Sequence, residues 1–91
     1  MSSFFKDNSY YLNELLKLEE ILKDCTENKK TLAKTCLQIG HIYKKRKELE
    51  KSLEYFKKAK DIFEQHNDSK LIMDVQKVIQ KVTDELEEMQ K

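Results

Sequence analysis

Apolar residues recur every three or four positions along most of the chain, which is the spacing of one face of an α-helix. The pattern predicts four helices, over about residues 9–25, 30–45, 49–66 and 69–89. The polar segments between them are short enough to join helices that pack antiparallel as hairpins. We therefore expect an all-α fold in which each helix buries one face against its neighbours.

Each predicted helix carries a stripe of residues that we expect in the core. In the first helix the stripe is Tyr11, Leu15, Leu18, Leu22 and Cys25. In the second it is Leu32, Cys36, Ile39 and Tyr43, with Ala33 and Gly40 beside them. In the third it is Leu49, Ser52, Leu53, Phe56, Ala59, Ile62 and Phe63, and in the fourth Leu71, Val75, Val78, Ile79, Val82, Leu86 and Met89. The fourth stripe is wider than one neighbour covers, which predicts a further contact there with a second copy or with a helix of a partner.

Composition narrows the fold class and the setting. A chain of 91 residues with 38% apolar residues makes one small domain. Because it has one glycine and no proline, it cannot supply the turns of an all-β fold. No apolar run approaches the length that spans a bilayer, and the first residues lack the pattern of a signal peptide. We expect a single helical domain over residues 1–91, a flexible segment at 1–8 and a cytoplasmic location.

Residues 33–66 carry a spaced set of small, aliphatic and aromatic side chains: Cys36, Ile39, Gly40, Tyr43, Ser52, Phe56 and Ala59. In this order and spacing they resemble one repeat of the tetratricopeptide family, a helix–turn–helix unit. Cys36 stands where the family usually has a larger residue, and Glu64 stands where a helix-ending proline is common. Independently of the family, Gly40 and Ala59 would let two helix backbones approach closely.

The resemblance implies a short stack of helical hairpins, with residues 69–89 as a C-terminal capping helix. The alternative at this stage is a closed helical bundle, because any amphipathic hairpin with one glycine and a few aromatic residues can produce such a match. Members of this family bind extended peptides in a groove lined by the first helix of each repeat. On the two helices in that role here, the matching residues are Lys34, Leu37, Gln38, His41, Lys44, Lys45, Lys77, Val78 and Lys81, with Asp74, Asp84 and Glu85 close by.

Charge divides the chain into three parts. Residues 1–28 carry a net charge of −3, residues 29–60 of +8 and residues 61–91 of −4. The basic middle predicts an acidic partner surface, with charge acting on association rate more than on affinity. Lys77 and Lys81 are similar to the cationic pair with which chaperone-binding members hold a carboxylate, although those members have asparagine where Gln38 stands.

Catalytic and metal-binding patterns are not found in the sequence, and we expect no enzyme activity, no cofactor and no metal. Cys36 and His41 lie about 140° apart on a helix, so they cannot converge on one ion or proton. Nucleic acid is disfavoured because acidic residues directly follow the basic run at 44–47. We also expect Lys58 to be exposed, so that Lys58→Leu would be nearly neutral for stability.

The leading hypothesis is therefore a non-catalytic adaptor or assembly subunit that binds a protein or peptide through its helical groove and its C-terminal helix. Homodimers or hetero-complexes would form through the C-terminal helix. The alternative is a fragment of a peptide-sensing regulator, because LEYFKKAKDIFEQHND resembles the style of bacterial quorum-sensing receptors built from these repeats.

Overall fold

Four α-helices make up the computed structural model, which describes residues 9–24 and 26–90. They are α1 (Ser9–Leu22), α2 (Lys29–Lys45), α3 (Leu49–Gln65) and α4 (Ser69–Met89), with a 3₁₀ turn at Thr26–Asn28 before α2. No strand occurs in these residues. The expected all-α class is confirmed, and the bounds of α2, α3 and α4 differ from the predicted ones by at most one residue. The expected flexible segment 1–8 and the core role of Cys25 concern residues outside the described ranges.

Two turns of the same construction reverse the chain, at 46–48 and 66–68. In each, the third residue donates its backbone N–H to a carbonyl five residues earlier, from Glu48 to Tyr43 (2.9 Å) and from Asp68 to Phe63 (3.1 Å). The middle residue is left-handed, with φ 65° at Lys47 and 55° at Asn67. This is the Schellman arrangement that ends helices and satisfies their last carbonyls. Because the turns are short, consecutive helices run antiparallel.

The α2–α3 hairpin is held by a close approach at Gly40. A Cβ atom on Gly40 would lie 2.8 Å from the ring of Phe56, so only glycine fits against that ring. The hydroxyl of Ser52 donates a buried hydrogen bond of 2.9 Å to the Gly40 carbonyl oxygen. Phe56, Ser52 and Ala59 are completely buried. The expected contact at Gly40 is confirmed, with Phe56 as its direct neighbour.

Consecutive helices share the main interfaces: α1 with α2, α2 with α3, and α3 with α4. Within the described residues, α1 and α4 share no comparable interface, although they would be neighbours in a closed four-helix ring. The Cα atoms fill a slab of 37 × 34 × 18 Å, which is broad and thin. The helices are thus arranged as hairpins side by side.

The main core joins α2, α3 and α4 and includes Leu22 from the end of α1. Val75 and Val82 bring α4 into it, and the partly buried Leu71, Val78, Ile79 and Leu86 of the predicted stripe pack there. The predicted core role of Met89 is wrong, because this residue is the last of α4 and its side chain is exposed. A second, smaller cluster holds the rest of α1 against α2. It consists of Leu12, Leu15, Ile39 and Ile42.

The predicted core stripe of α1 is wrong in two of its described positions. Tyr11 and Leu18 are exposed, whereas Leu12 and Glu19 are buried beside the correctly predicted Leu15 and Leu22. The helix is therefore rotated from the expected orientation. The physical reason is that apolar side chains surround more than half of α1, so the pattern alone does not select one face.

Candidate functional site

The outer face of α2 presents four of the predicted site residues. Lys34, Gln38, His41 and Lys45 are all exposed. At 100° per residue they fall within an arc of about 60°, on the side of α2 turned away from its buried stripe. The structure therefore places these four residues together on one exposed face of α2.

Leu37 and Lys44 lie at one edge of this face and are half-buried. Leu37 packs against the main core, so its side chain joins the exposed face to the interior. An apolar residue beside a polar face can contact a ligand without a large desolvation cost. The outer face of α2 is therefore mainly polar, with one apolar edge.

His41 is fixed by the aromatic residue beneath it. Its ring meets the ring of Phe56 edge to face, with centroids 5.0 Å apart and an interplanar angle of 73°. Burial lowers the pKa of His41 below its ordinary 6.5, and the charges of Lys44 and Lys45 lower that pKa further. The imidazole is therefore mainly neutral at pH 7 and able both to donate and to accept a hydrogen bond.

Positive charge on α2 is not neutralised within the helix. The segment Lys29–Lys45 contains five lysines and no acidic residue. Lys30 pairs with Asp68 at 3.6 Å, but in the described chain Lys34, Lys44 and Lys45 form no ion pair. Three cations on or beside the outer face of α2 are thus available to an anionic group of a partner.

Two ion pairs align α4 with α2. Lys30 Nζ lies 3.6 Å from Asp68 Oδ2 at the start of both helices, and Lys47 Nζ lies 3.8 Å from Glu85 Oε2 near their ends. Each pair joins residues 38 positions apart, so α2 and α4 run parallel on either side of a shared neighbour, α3. By that offset, residues 77–81 of α4 come level with residues 39–43 of α2. The structure therefore brings the two halves of the predicted site to the same height.

The face of α4 that borders α2 has mixed charge. Val78 is half-buried and packs against the main core, while Lys77 and Lys81 are exposed. Viewed down the axis of α4, Glu85 and Asp74 lie about 20° and 40° from Val78. Lys81 and Lys77 lie farther round in the same direction, at about 60° and 100°. The two carboxylates therefore lie between Val78 and the lysines, and Glu85 pairs with Lys47 just beyond the end of α2. No contact joins Lys77 or Lys81 to the lysines of α2 in the described residues, so the expected convergence of these cations is interrupted by acidic groups.

A shallow open depression lies where the end of α4 meets the start of α3. Its floor is apolar and its rim is charged, and it is lined by Lys47, Glu48, Leu49, Glu50, Lys51, Leu86 and Met89. Leu49 is buried, whereas Met89 is exposed. The Lys47–Glu85 ion pair lies at one side, so this depression borders the end of the α2–α4 surface.

A partly buried ion pair that the sequence pattern did not predict joins α1 to α3. Glu19 is buried, and its Oε2 accepts from Lys58 Nζ at 3.2 Å. The Lys58 ammonium also lies 4.4 Å from the centre of the Tyr55 ring. Lys58 is exposed, as expected, but it is not isolated, because Glu19 is inward-facing and takes Lys58 as its partner. No local pattern signals a pair between residues 39 positions apart.

Cys36 has the environment of a packing residue. It is almost completely buried in the main core. Burial raises the pKa of the thiol to about 11, with a smaller contribution from the nearby charge of Glu19. Within residues 9–24 and 26–90, no three His, Cys, Asp or Glu side chains are grouped so as to hold a metal ion.

The chain has no match among family models, curated proteins or solved structures. None of the described helices combines the length and the apolar character needed to cross a bilayer.

Proposed function

We propose that the chain is a non-catalytic interaction module, similar to a tetratricopeptide hairpin stack, that acts in the cytoplasm. It binds a partner protein or peptide across the outer face of α2 and the adjoining edge of α4. The observation that carries this proposal is the outer face of α2, where four exposed polar side chains lie in one narrow arc. Two of them, Lys34 and Lys45, together with the adjoining Lys44, have no ion-pair partner in the described chain.

The rigid setting of this face supports binding. Gly40, Ser52 and Phe56 lock α2 to α3 directly behind His41, so the face does not need to order itself when a partner arrives. The ion pairs Lys30–Asp68 and Lys47–Glu85 hold α4 parallel to α2. A partner segment lying along α2 would then also reach Val78.

The charge of the face favours an acidic partner segment. Each solvated contact to a lysine contributes little, about 0.2–1 kcal/mol, so charge acts chiefly on the rate of association. Because Asp74 and Glu85 border Val78, the acidic segment is expected to follow α2, with α4 contributing apolar contact at Val78 and cations farther round at Lys77 and Lys81.

The test is site-specific photo-crosslinking in the native extract. A photoreactive benzoylphenylalanine replaces Gln38 on the outer face of α2 or, as the matched control, Asp61, which is exposed on the side of α3 turned away from Ser52 and Ala59. We expect one protein adduct with the Gln38 probe and none with the Asp61 probe. The same adduct from both positions, or none from either, would reject the proposed surface.

Charge reversal then tests the electrostatic part with the captured partner. Replacing Lys34, Lys45, Lys77 and Lys81 by glutamate should lower the association rate and flatten its dependence on ionic strength. An association rate that stays constant through the reversals and across the salt series would mean that the basic surface is only solvated.

A further inference from the structure

The exposed side of α1 carries a short seam of four residues. Tyr10, Glu14, Lys17 and Ile21 follow one another at spacings of four, three and four, and at 100° per residue they fall within an arc of about 60°. Tyr10 is 78% and Ile21 63% exposed. This is the spacing of the a and d positions with which two helices pair.

An apolar strip borders the seam on one side. Tyr11 and Leu18, seven residues apart, are 52% and 38% exposed and lie on one flank, whereas the polar residues Asn13 and Glu20 lie on the other. In the described chain, α1 holds four of the six large hydrophobic side chains that are exposed. Exposed apolar surface is therefore concentrated on this helix.

The seam is complementary to itself when it is read in the opposite direction. If two copies of α1 pair antiparallel about the midpoint between residues 15 and 16, Tyr10 faces Ile21 of the other copy and Glu14 faces Lys17. Both contacts occur twice because a two-fold axis relates the copies. Within one chain, Glu14 and Lys17 already lie 3.7 Å apart, so the pairing would assemble a cluster of four alternating charges.

The flanks favour the same direction. The two-fold axis of an antiparallel pair stands perpendicular to the plane of the helices, so each flank meets its own copy. The Tyr11–Leu18 strip then packs on itself, and Asn13 and Glu20 remain together at the polar edge. A parallel pair would instead set Glu14 against Glu14, Lys17 against Lys17 and the apolar flank against the polar one.

We propose that the chain forms a homodimer through antiparallel pairing of α1 with α1 of a second copy. A helix of 14 residues is about 21 Å long, and two of them bury less surface than a standard stable interface. The dimer is therefore weak and depends on concentration. It leaves the outer face of α2 free, so each dimer would present two copies of that face.

The first experiment is sedimentation equilibrium of the full chain over a wide concentration range. The single change Glu14→Lys sets Lys against Lys and should weaken the dimer about tenfold or more, and Lys17→Glu should do the same. Combining the two changes exchanges the charges and restores the complementary pairs, so the dimer should return. Glu14 and Lys17 are both exposed, and circular dichroism checks that helix content is unchanged.

Apolar contacts are tested with a matched pair of substitutions. Tyr10→Lys should weaken the dimer about tenfold or more, whereas Met73→Lys, at an exposed methionine on α4, should leave it unchanged. Assemblies that grow beyond two copies, or a dimer lost with Met73→Lys, would assign self-association to another surface and overturn the proposal.

The antiparallel direction of the α1 pairing is tested by disulfide crosslinking in a Cys25→Ser background. Tyr10→Cys chains mixed with Ile21→Cys chains should form crosslinked dimers, and neither variant alone should do so. Crosslinking of Tyr10→Cys chains by themselves would indicate a parallel pair and reject the antiparallel seam. A protein that remains monomeric throughout the concentration range would overturn the proposal while leaving the α2 surface untouched.

Discussion

The α2–α3 hairpin and α1 differ in how they are held. The hairpin is locked by the Gly40–Phe56 contact and by the buried Ser52 hydrogen bond, at the centre of the main core. Most of α1 rests on a separate cluster of four apolar side chains and on the Glu19–Lys58 ion pair. The difference shows that one small domain can combine a rigid platform with a helix that keeps much of its apolar surface exposed.

The largest expected effect comes from overfilling the hairpin. Ala59 is completely buried, so Ala59→Leu should lower the free energy of unfolding by about 1–3 kcal/mol. The control is Lys57→Leu at an exposed position of the same helix, which should be nearly neutral. Urea denaturation compares them, and equal effects would mean that the hairpin is not tightly packed at Ala59.

Alkaline pH should weaken the same core through Cys36. Because the thiol's pKa is raised from 9.0 to about 11 in the folded state, its contribution is complete below pH 9 and is lost as the pH rises toward 11. The loss by the upper end of that window is about 2 kcal/mol. Cys36→Ala should be less stable at neutral pH but should show a shallower decline from pH 9 to 11. A decline equally steep in both proteins would contradict the role of Cys36.

Removing the ion pair should loosen α1 selectively. Lys58→Met leaves the Glu19 carboxylate buried without its cation, at a cost of about 1–2 kcal/mol, between the values for exposed and fully buried pairs. Hydrogen exchange should speed up at the amides of α1 and stay slow at those of α3. Lys57→Met, one position along, is the control. Uniform acceleration through both helices would show that α1 and the hairpin open together.

The smallest expected effect is a gain in stability at the turn between α2 and α3. Lys47 has a φ of 65°, a conformation that glycine adopts without strain, so Lys47→Gly should stabilise the fold by about 0.5–1 kcal/mol. Asn67→Gly at the matching turn should gain less, because asparagine tolerates this conformation better than lysine. Thermal denaturation measures both changes, and a loss at Lys47 would indicate that its exposed pair with Glu85 matters more than the backbone.

The sequence pattern predicted the helix bounds well and the orientation of α1 poorly. In α2 a clear division between apolar and polar faces indicated correctly that Leu32, Cys36 and Ile39 are buried. In α1 apolar residues occupy too much of the circumference to indicate which face is buried. Glu19 is inside because Lys58, on another helix, neutralises its charge, and local spacing carries no information on such a partner.

The relation between α2 and α4 was predicted only in part. The family resemblance gave the two helices the same role, and the ion pairs between them have an offset of 38 residues. Which charged side chains of α4 lie toward α2 depends on how α4 is rotated against the core. That rotation is set by the burial of Val75 and Val82 in the main core, which is a tertiary effect.

The sequential order of the helix interfaces has a consequence for how fast the chain folds. Because each main interface joins helices that are neighbours in sequence, most native contacts close short loops, and proteins with such low contact order fold in microseconds to milliseconds. No helix needs to wait for a distant segment before it finds its main partner. During synthesis, α2 and α3 can therefore form their hairpin as soon as both have emerged, and α4 can add to a surface that already exists.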